Sequence, residues 1–194
     1  DMKFLDQQGL SSEILKRHEA GTMILGICGG FQMLGKKIKD PENLESCEVE
    51  IDGLGLFDFQ TTLLPEKLTR QVKLKTVKSR VFPEGIECIG YEIHMGQTTF
   101  KTTYPSFFST SNGENPMNLG VMNEVGTVIG TYIHGFLDKD LFRENVLRYI
   151  RRKNGLPEPQ RKFDYTKFRA QELNKLAELI KTSINMEEIK KNLQ

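Results

Sequence analysis

Apolar and polar positions recur with two different periods along this chain, and the changes of period divide it into helices and strands. Leu10, Ile14, Leu15 and His18 share one helical face, which predicts a helix over 10–20. Met23 to Ile27 is a short apolar run rich in branched residues, as a strand buried in a parallel sheet requires. Phe31, Met33 and Leu34 open a second helix that stops near Gly35, and Lys39 to Asn43 begins a polar loop. Leu54 to Leu63, Arg70 to Val77, Ile86 to His94 and Leu119 to Met122 read as strands, and Ser109 to Asn118, rich in Ser, Asn and Gly, as loop. Gly126 to Ile133 reads as a further buried strand. Leu141, Phe142, Val146, Leu147 and Ile150 return to helical spacing within 138–152. This order predicts an α/β domain over residues 1–155. Residues 156–194 are expected to form a linker and a last helix that packs back on the same domain through Leu173, Leu176, Ala177 and Ile180. Exposed instead, that face would dock a partner domain.

Composition narrows the picture. At 194 residues the chain can bury a sizeable core, and a net charge of +1 with scattered Lys and Arg argues against nucleic acid as a partner. Arg148, Arg151, Arg152 and Lys153 read as a solvated helix end whose cations complement the helix dipole. No apolar run approaches a membrane span and no signal peptide is visible, which points to the cytoplasm. Cys28, Cys47 and Cys88 lack CxxC or Cys/His ligand spacing, so neither a disulfide framework nor a metal site is indicated.

One of these cysteines stands where chemistry is expected. Cys28 lies at the junction of strand and helix, flanked by Gly26, Gly29 and Gly30, which are expected to permit close backbone approach and unusual dihedrals. The following helix N-terminus would favour thiolate and aim backbone N–H groups at a developing oxyanion. A structural cysteine in a glycine-rich turn is the plain alternative; strand, glycines and helix in this order favour a nucleophile elbow. The base is sought among three histidines. His134 follows a strand at its carboxyl end, where sites collect in open α/β sheets, so it is the candidate general base and acid. His18 is a surface or boundary residue. In Gly90 to Gly96, Tyr91, Ile93 and Met95 would share one strand face and Glu92 with His94 the other. Two readings of that pair stand open: lining the substrate pocket, or a Glu-His pair facing solvent.

Gly26 to Gly35, Gly90 to Gly96 and Gly130 to Gly135, with Gly53 to Leu56, Thr61-Thr62, Lys67 to Val72 and Phe168 to Met186, resemble the glutamine amidotransferase domain of the cobyric acid synthase family over essentially the whole chain. The resemblance implies a class I glutamine amidotransferase-like, flavodoxin-like mixed sheet flanked by helices, with a C-terminal helical extension. It implies hydrolysis of free glutamine through a Cys28 thioester, an oxyanion held by the Gly29 N–H, and ammonia passed to a synthetase domain. That domain would amidate the b, d, e and g carboxylates of adenosylcobyrinic acid a,c-diamide, one glutamine and one ATP for each, in cobalamin biosynthesis. Gly30, Gln32, Tyr91, Glu92 and His94 are the implied glutamine-binding set. No cofactor is expected in this chain, and ATP and Mg are expected in the N-terminal synthetase domain of the same polypeptide. Related readings are the amidotransferase parts of cobyrinic acid a,c-diamide synthase or lipid II isoglutaminyl synthase, or an idle binding module of the same fold.

Two departures accompany the resemblance. Class I amidotransferases carry a glutamate two residues past the histidine, where this chain has Phe136, which leaves a Cys-His dyad. A backbone carbonyl or Glu92 would then orient the ring; Asp138 looks rather like the N-cap of the next helix. The usual first strand and its oxyanion loop do not precede Leu10, and no phosphate-binding Gly-rich loop occurs, so a part of a longer enzyme is expected, with weak or no glutaminase activity in isolation.

Overall fold

The structure, a computed structural model, describes residues 1–79, 81–110, 116–159, 163–185, 188–189 and 191. Helices α1 (Met2–Gln7) and α2 (Leu10–Glu19) lead into strand β1 (Ile24–Ile27), and α3 (Gly29–Leu34) follows without a loop. Glu13 in the first turn of α2 and Lys16 and Arg17 in its last match the helix dipole, and Arg17 Nε donates to Glu13 at 2.6 Å. After β2 (Lys37–Lys39) and β3 (Glu50–Asp52) come two long strands, β4 (Phe59–Thr76) and β5 (Glu87–Phe100). β6 (Phe108–Ser109), β7 (Gly120–Met122), β8 (Val128–Thr131) and β9 (Ile133–His134) precede helix α4 (Asp140–Lys153) and helix α5 (Tyr165–Ser183).

Two mixed sheets result. One has the order β1-β8-β7, with β1 parallel to β8 and β7 antiparallel to it; the other runs β3-β2-β4-β5-β9, with β6 added on β4. The smaller sheet is buried on both faces. Val128 packs with Phe31, Phe59 and Tyr132 on one side, and Ile129 with Phe107, Phe136 and Phe142 on the other. Consecutive residues of β8 are therefore both apolar, and strand alternation disappears there. Each fully buried Phe contributes about 1.5–3 kcal/mol, so the two aromatic clusters clamp this sheet in place.

Several boundaries differ from the sequence expectation, each for a tertiary reason. Leu54 to Phe57 is not strand: its amides turn back to the end of α3, with Leu54 N donating to Met33 O, Gly55 N to Gly35 O and Phe57 N to Leu34 O. These bonds satisfy carbonyls that a short helix leaves free. The strands expected at 54–63 and 70–77 are one strand, β4, whose pairing with β5 slips between Thr62 and Lys67, a stretch containing Pro65, which has no N–H to give. The expected strand 126–133 divides at Tyr132. Thr131 Oγ1 donates to Leu119 O at 2.6 Å and accepts from Ile133 N at 3.0 Å, which turns the chain from β8 to β9 and from one sheet to the other. Asp138 does not cap α4; it ends a 3-10 turn over Phe136–Asp138, and Lys139 is the N-cap residue. Of the loop expected over 109–118, residues 111–115 lie outside the described ones, and Pro116–Asn118 form a 3-10 turn.

The last helix meets the body at its beginning. Arg143 stacks its guanidinium 5.5 Å from the Phe163 and Tyr165 ring centroids and donates to Phe163 O, while Asp140 Oδ1 accepts from Tyr165 N at 3.1 Å. Asp164 caps the helix by accepting from Lys167 N at 2.8 Å. None of its residues is buried, and Leu173, Leu176 and Leu179 are exposed.

β9 reaches β5 across Gly90, where a Cβ would stand 2.7 Å from His134 O and overlap the Ile133 side chain. Gly90→Ala is expected to cost about 1–3 kcal/mol through overpacking, read as a lowered urea midpoint with unchanged m-value. An unchanged midpoint would show that β9 is free to move away.

Candidate active site

Cys28 occupies the turn between β1 and α3 with φ 53° and ψ −115°, in the left-handed half of dihedral space that a residue with a Cβ avoids. Such strain costs on the order of 1–3 kcal/mol and persists only when both flanks are held. They are: Cys28 N donates to Thr131 O at 2.8 Å, and Gln32 N donates to Cys28 O at 3.1 Å. At Gly26 a Cβ would lie 2.7 Å from both Gly30 O and Leu34 Cδ1, so helix and strand cross here only because no side chain intervenes. The matching role expected of Gly29 and Gly30 does not hold. A Cβ at either meets nothing within 4 Å, because both lie on the open side of α3.

The thiol is engaged. Its Sγ donates to Ile93 O at 3.4 Å. Burial pushes the Cys28 thiol above its usual range, the Gly29 N–H opposes the rise, the charge of Glu45 adds to it and that of Lys67 subtracts from it. The expected bias toward thiolate is thus absent in the resting arrangement, because one N–H of a six-residue helix does not offset desolvation. Cys88, buried among the aromatic core residues, is pushed up to about 12 and is inert.

His134 ends β9: Ile27 pairs with Thr131 in the smaller sheet, and three residues later His134 stands opposite Tyr91 in the β5–β9 ladder. Its Nε2 is buried and has no hydrogen-bond partner, so the thiol and the imidazole are not bonded to each other here. Glu92 is not the group that orients His134. It is buried at 2% exposure, accepts from Arg70 at 2.7 Å and faces His94 Nε2 at 3.1 Å. These two partners keep its carboxyl below the usual carboxylate range against the opposing effect of burial. His94 Nδ1 faces Gly96 O at 3.1 Å. The Glu-His pair is thus not a free pair facing solvent: it is hydrogen-bonded and, with Arg70, Gly96 and Tyr132, lines a cavity of about 310 Å³.

The remaining expected residues separate. Gln32 is buried and donates through Nε2 to Met95 O at 3.0 Å. Tyr91 lies on the opposite face of β5, half exposed, against Gly135 and the first turns of α5, and does not join Glu92 and His94. Gly29 and Gln32 border a cleft of about 230 Å³ whose other wall carries Asp40, Glu45, Ser46 and Glu48. A larger cavity, about 460 Å³, lies at the far end of the β4–β5 ladder around Lys73, Lys75 and Glu87 and holds none of these groups. Arg70, Tyr132, Glu45 and Ile93 O belong to the neighbourhood and were missed from sequence. Arg70 had a signal, since opposite charges at Arg70 and Glu92 face each other once the hairpin register is known. Among the described residues no group of three or more His, Cys, Asp or Glu is gathered for a metal ion, and no helix is long and apolar enough to cross a membrane.

The pattern of the CobB/CobQ-like glutamine amidotransferase domain matches residues 1–142. The chain belongs to this family. Cobyric acid synthase from Dehalococcoides mccartyi is 43% identical over 194 residues, covering 97% of this chain and 38% of that protein. Cobyric acid synthase from Alkaliphilus metalliredigens is 41% identical over 202 residues, covering all of this chain (100%) and 40% of that protein. The chain thus spans well under half the length of these relatives. A chain in the structure of PurLQS from Thermotoga maritima superposes with a TM-score of 0.52 at 20% identity, covering 73% of this chain and 68% of that one, so the class I amidotransferase-like fold is shared. In this CobB/CobQ-like domain, Phe136 explains the missing glutamate. It is 2% exposed among Phe107, Phe108 and Phe142, where a carboxylate would be buried without a partner.

Alkylation of Cys28 by iodoacetamide, followed by peptide mass spectrometry, is expected to keep accelerating above about pH 8.5, the ordinary thiol value. Glu45→Gln is expected to shift that curve to lower pH. A wild-type curve already flat at neutral pH would contradict the protonated resting thiol.

Proposed function

We propose that this chain is the glutaminase part of a cobyric acid synthase, delivering ammonia from glutamine to an ATP-dependent synthetase domain that amidates a corrin substrate. The observation that supports the reading is the strained backbone of Cys28 at a strand-helix junction, together with a buried His134 Nε2 that has no partner, three residues past the Thr131 whose carbonyl holds Cys28 N. Strain of this kind is retained where it aims a nucleophile. The cobyric acid synthase relatives support the choice of substrate class, and their greater length supports a synthetase domain in the same polypeptide.

The chemistry follows from two groups and one amide. Glutamine enters the cleft beside Gly29, and the thiol exchanges Ile93 O for His134 Nε2, which takes its proton. The sulfur attacks the side-chain amide carbon, and the N–H of Gly29, the first residue of α3, holds the negative oxygen. As the C–N bond breaks, His134 returns the proton to the departing nitrogen and ammonia leaves. Water, deprotonated by His134, then cleaves the glutamyl thioester, which releases glutamate and restores the thiol. A raised thiol value in the resting state keeps the sulfur protonated until the substrate is present, which limits wasteful alkylation and oxidation. The reading keeps the protein in the cytoplasm.

In the full-length enzyme, Cys28→Ser is expected to abolish glutamine-dependent amidation while added ammonium salt restores it. His134→Ala is expected to lower the glutaminase rate by about 10²- to 10⁴-fold, the usual worth of a general acid-base. A glutamine-mimetic diazoketone should modify Cys28 alone. Retention of the glutamine-dependent rate in Cys28→Ser would sink the reading.

A further inference from the structure

Strand β5 pairs with β9 only through Tyr91 and Glu92, so beyond Glu92 the same edge of β5 is open to other partners. The elbow takes it. Ile93 O accepts the Cys28 thiol, and Met95 O, two residues along the same edge, accepts Gln32 Nε2. The side chains that alternate with these carbonyls are Glu92 and His94, on the buried face. Glu92 is tied to Arg70 on the paired position of β4, and His94 closes onto both Glu92 and Gly96 O. The segment from Glu92 to Gly96 is thereby pinned at both ends just where its carbonyls meet the elbow.

A second line leads from the same cluster to the histidine. The His94 ring stacks on Tyr132 with centroids 3.9 Å apart and planes 18° apart. Tyr132 is the residue at which the chain crosses from β8 to β9, between Thr131, whose carbonyl holds Cys28 N, and His134. Its hydroxyl is fixed by Thr98 at 2.6 Å, and its ring packs edge-on against Phe31 of α3 at 4.9 Å. A shift of the His94 ring is therefore transmitted to the stretch that sets where His134 stands.

We propose that Glu92 and His94, anchored by Arg70, are positioning residues of the glutaminase centre: they fix the β5 edge that carries the thiol and Gln32, and through Tyr132 they fix His134. This rests on the glutaminase reading above. Neither side chain bonds Cys28 or His134, and both act through Ile93, Met95 and Tyr132. A buried carboxylate paired with a guanidinium and an imidazole is costly to assemble relative to an apolar substitute, which fits a cluster kept for geometry rather than for stability.

The test is glutamine hydrolysis by the full-length enzyme carrying Glu92→Gln, His94→Ala or His94→Phe, with thermal melts beside the kinetics. Glu92→Gln and His94→Ala are expected to lower kcat by about 10- to 100-fold, the scale of a displacement near 1 Å, with KM for glutamine within about twofold. His94→Phe retains the stack on Tyr132 without the ring nitrogens' contacts to Glu92 and Gly96 O, so it should recover part of the kcat lost in His94→Ala. Glu92→Gln preserves side-chain volume and carries the test if His94→Ala melts below the assay temperature. A raised KM with kcat intact would overturn the proposal in favour of direct substrate binding. Unchanged kcat and KM would overturn it in favour of a purely structural cluster. Glutaminase activity surviving in Cys28→Ser would instead mark the failure of the underlying glutaminase reading, a result distinct from either.

Discussion

The parallel register of β1 against β8 ends with Ile27 beside Thr131, and the next amide, that of Cys28, closes onto the Thr131 carbonyl. On that single bond hang both halves of the site. It holds the strand side of a backbone turn that Cys28 would not adopt alone, and it ties the elbow to the end of β8, three residues before His134. The clamp is in turn secured by aromatic clusters on both faces of the three-stranded sheet, which hold Ile27 and Phe31 on either side of the strained residue. Strain at a functional position is offset by ordinary packing elsewhere.

Electrostatics at the elbow are a contest that solvent exclusion wins. The Gly29 N–H and Lys67 favour a sulfur anion, but burial and Glu45 favour the neutral thiol, whose hydrogen goes to a carbonyl of β5. The opposite outcome holds a few residues away. Glu92 is more deeply buried, yet it stays ionised because Arg70 and His94 meet both of its oxygens. The difference lies in partners rather than in depth: a buried charge persists where donors surround it and is discharged where they do not.

Much of this was legible in the residue order. The apolar runs at 23–27 and 126–133, the helix at 10–20 and the cysteine between glycines were readable because hydrophobic periodicity and turn chemistry act over a few residues. The likeness to amidotransferases rested on short motifs, and it pointed to the family to which the chain belongs. Less legible were positions whose role depends on a neighbour in another segment. Gly29 and Gly30 looked like steric necessities and proved to face open space, whereas Gly26 and Gly90 are the crowded ones. Asp138 has the composition of a cap but ends a separate turn, and Tyr91 shares a motif with Glu92 while facing the other way across the strand.

By itself the chain determined which segments become strands and helices, which cysteine stands at a strand-helix junction, and which histidine follows a buried strand. Only the folded arrangement decided that the thiol rests on Ile93 O, 65 positions away, that His134 Nε2 is left free, and that Glu92 serves Arg70 and His94. The reason is range. Backbone dihedrals and hydrophobic period are set by near neighbours, but a protonation state or a hydrogen-bond partner depends on sheet register, slips such as the one at Thr62–Lys67, and the crossing of the chain between sheets at Tyr132.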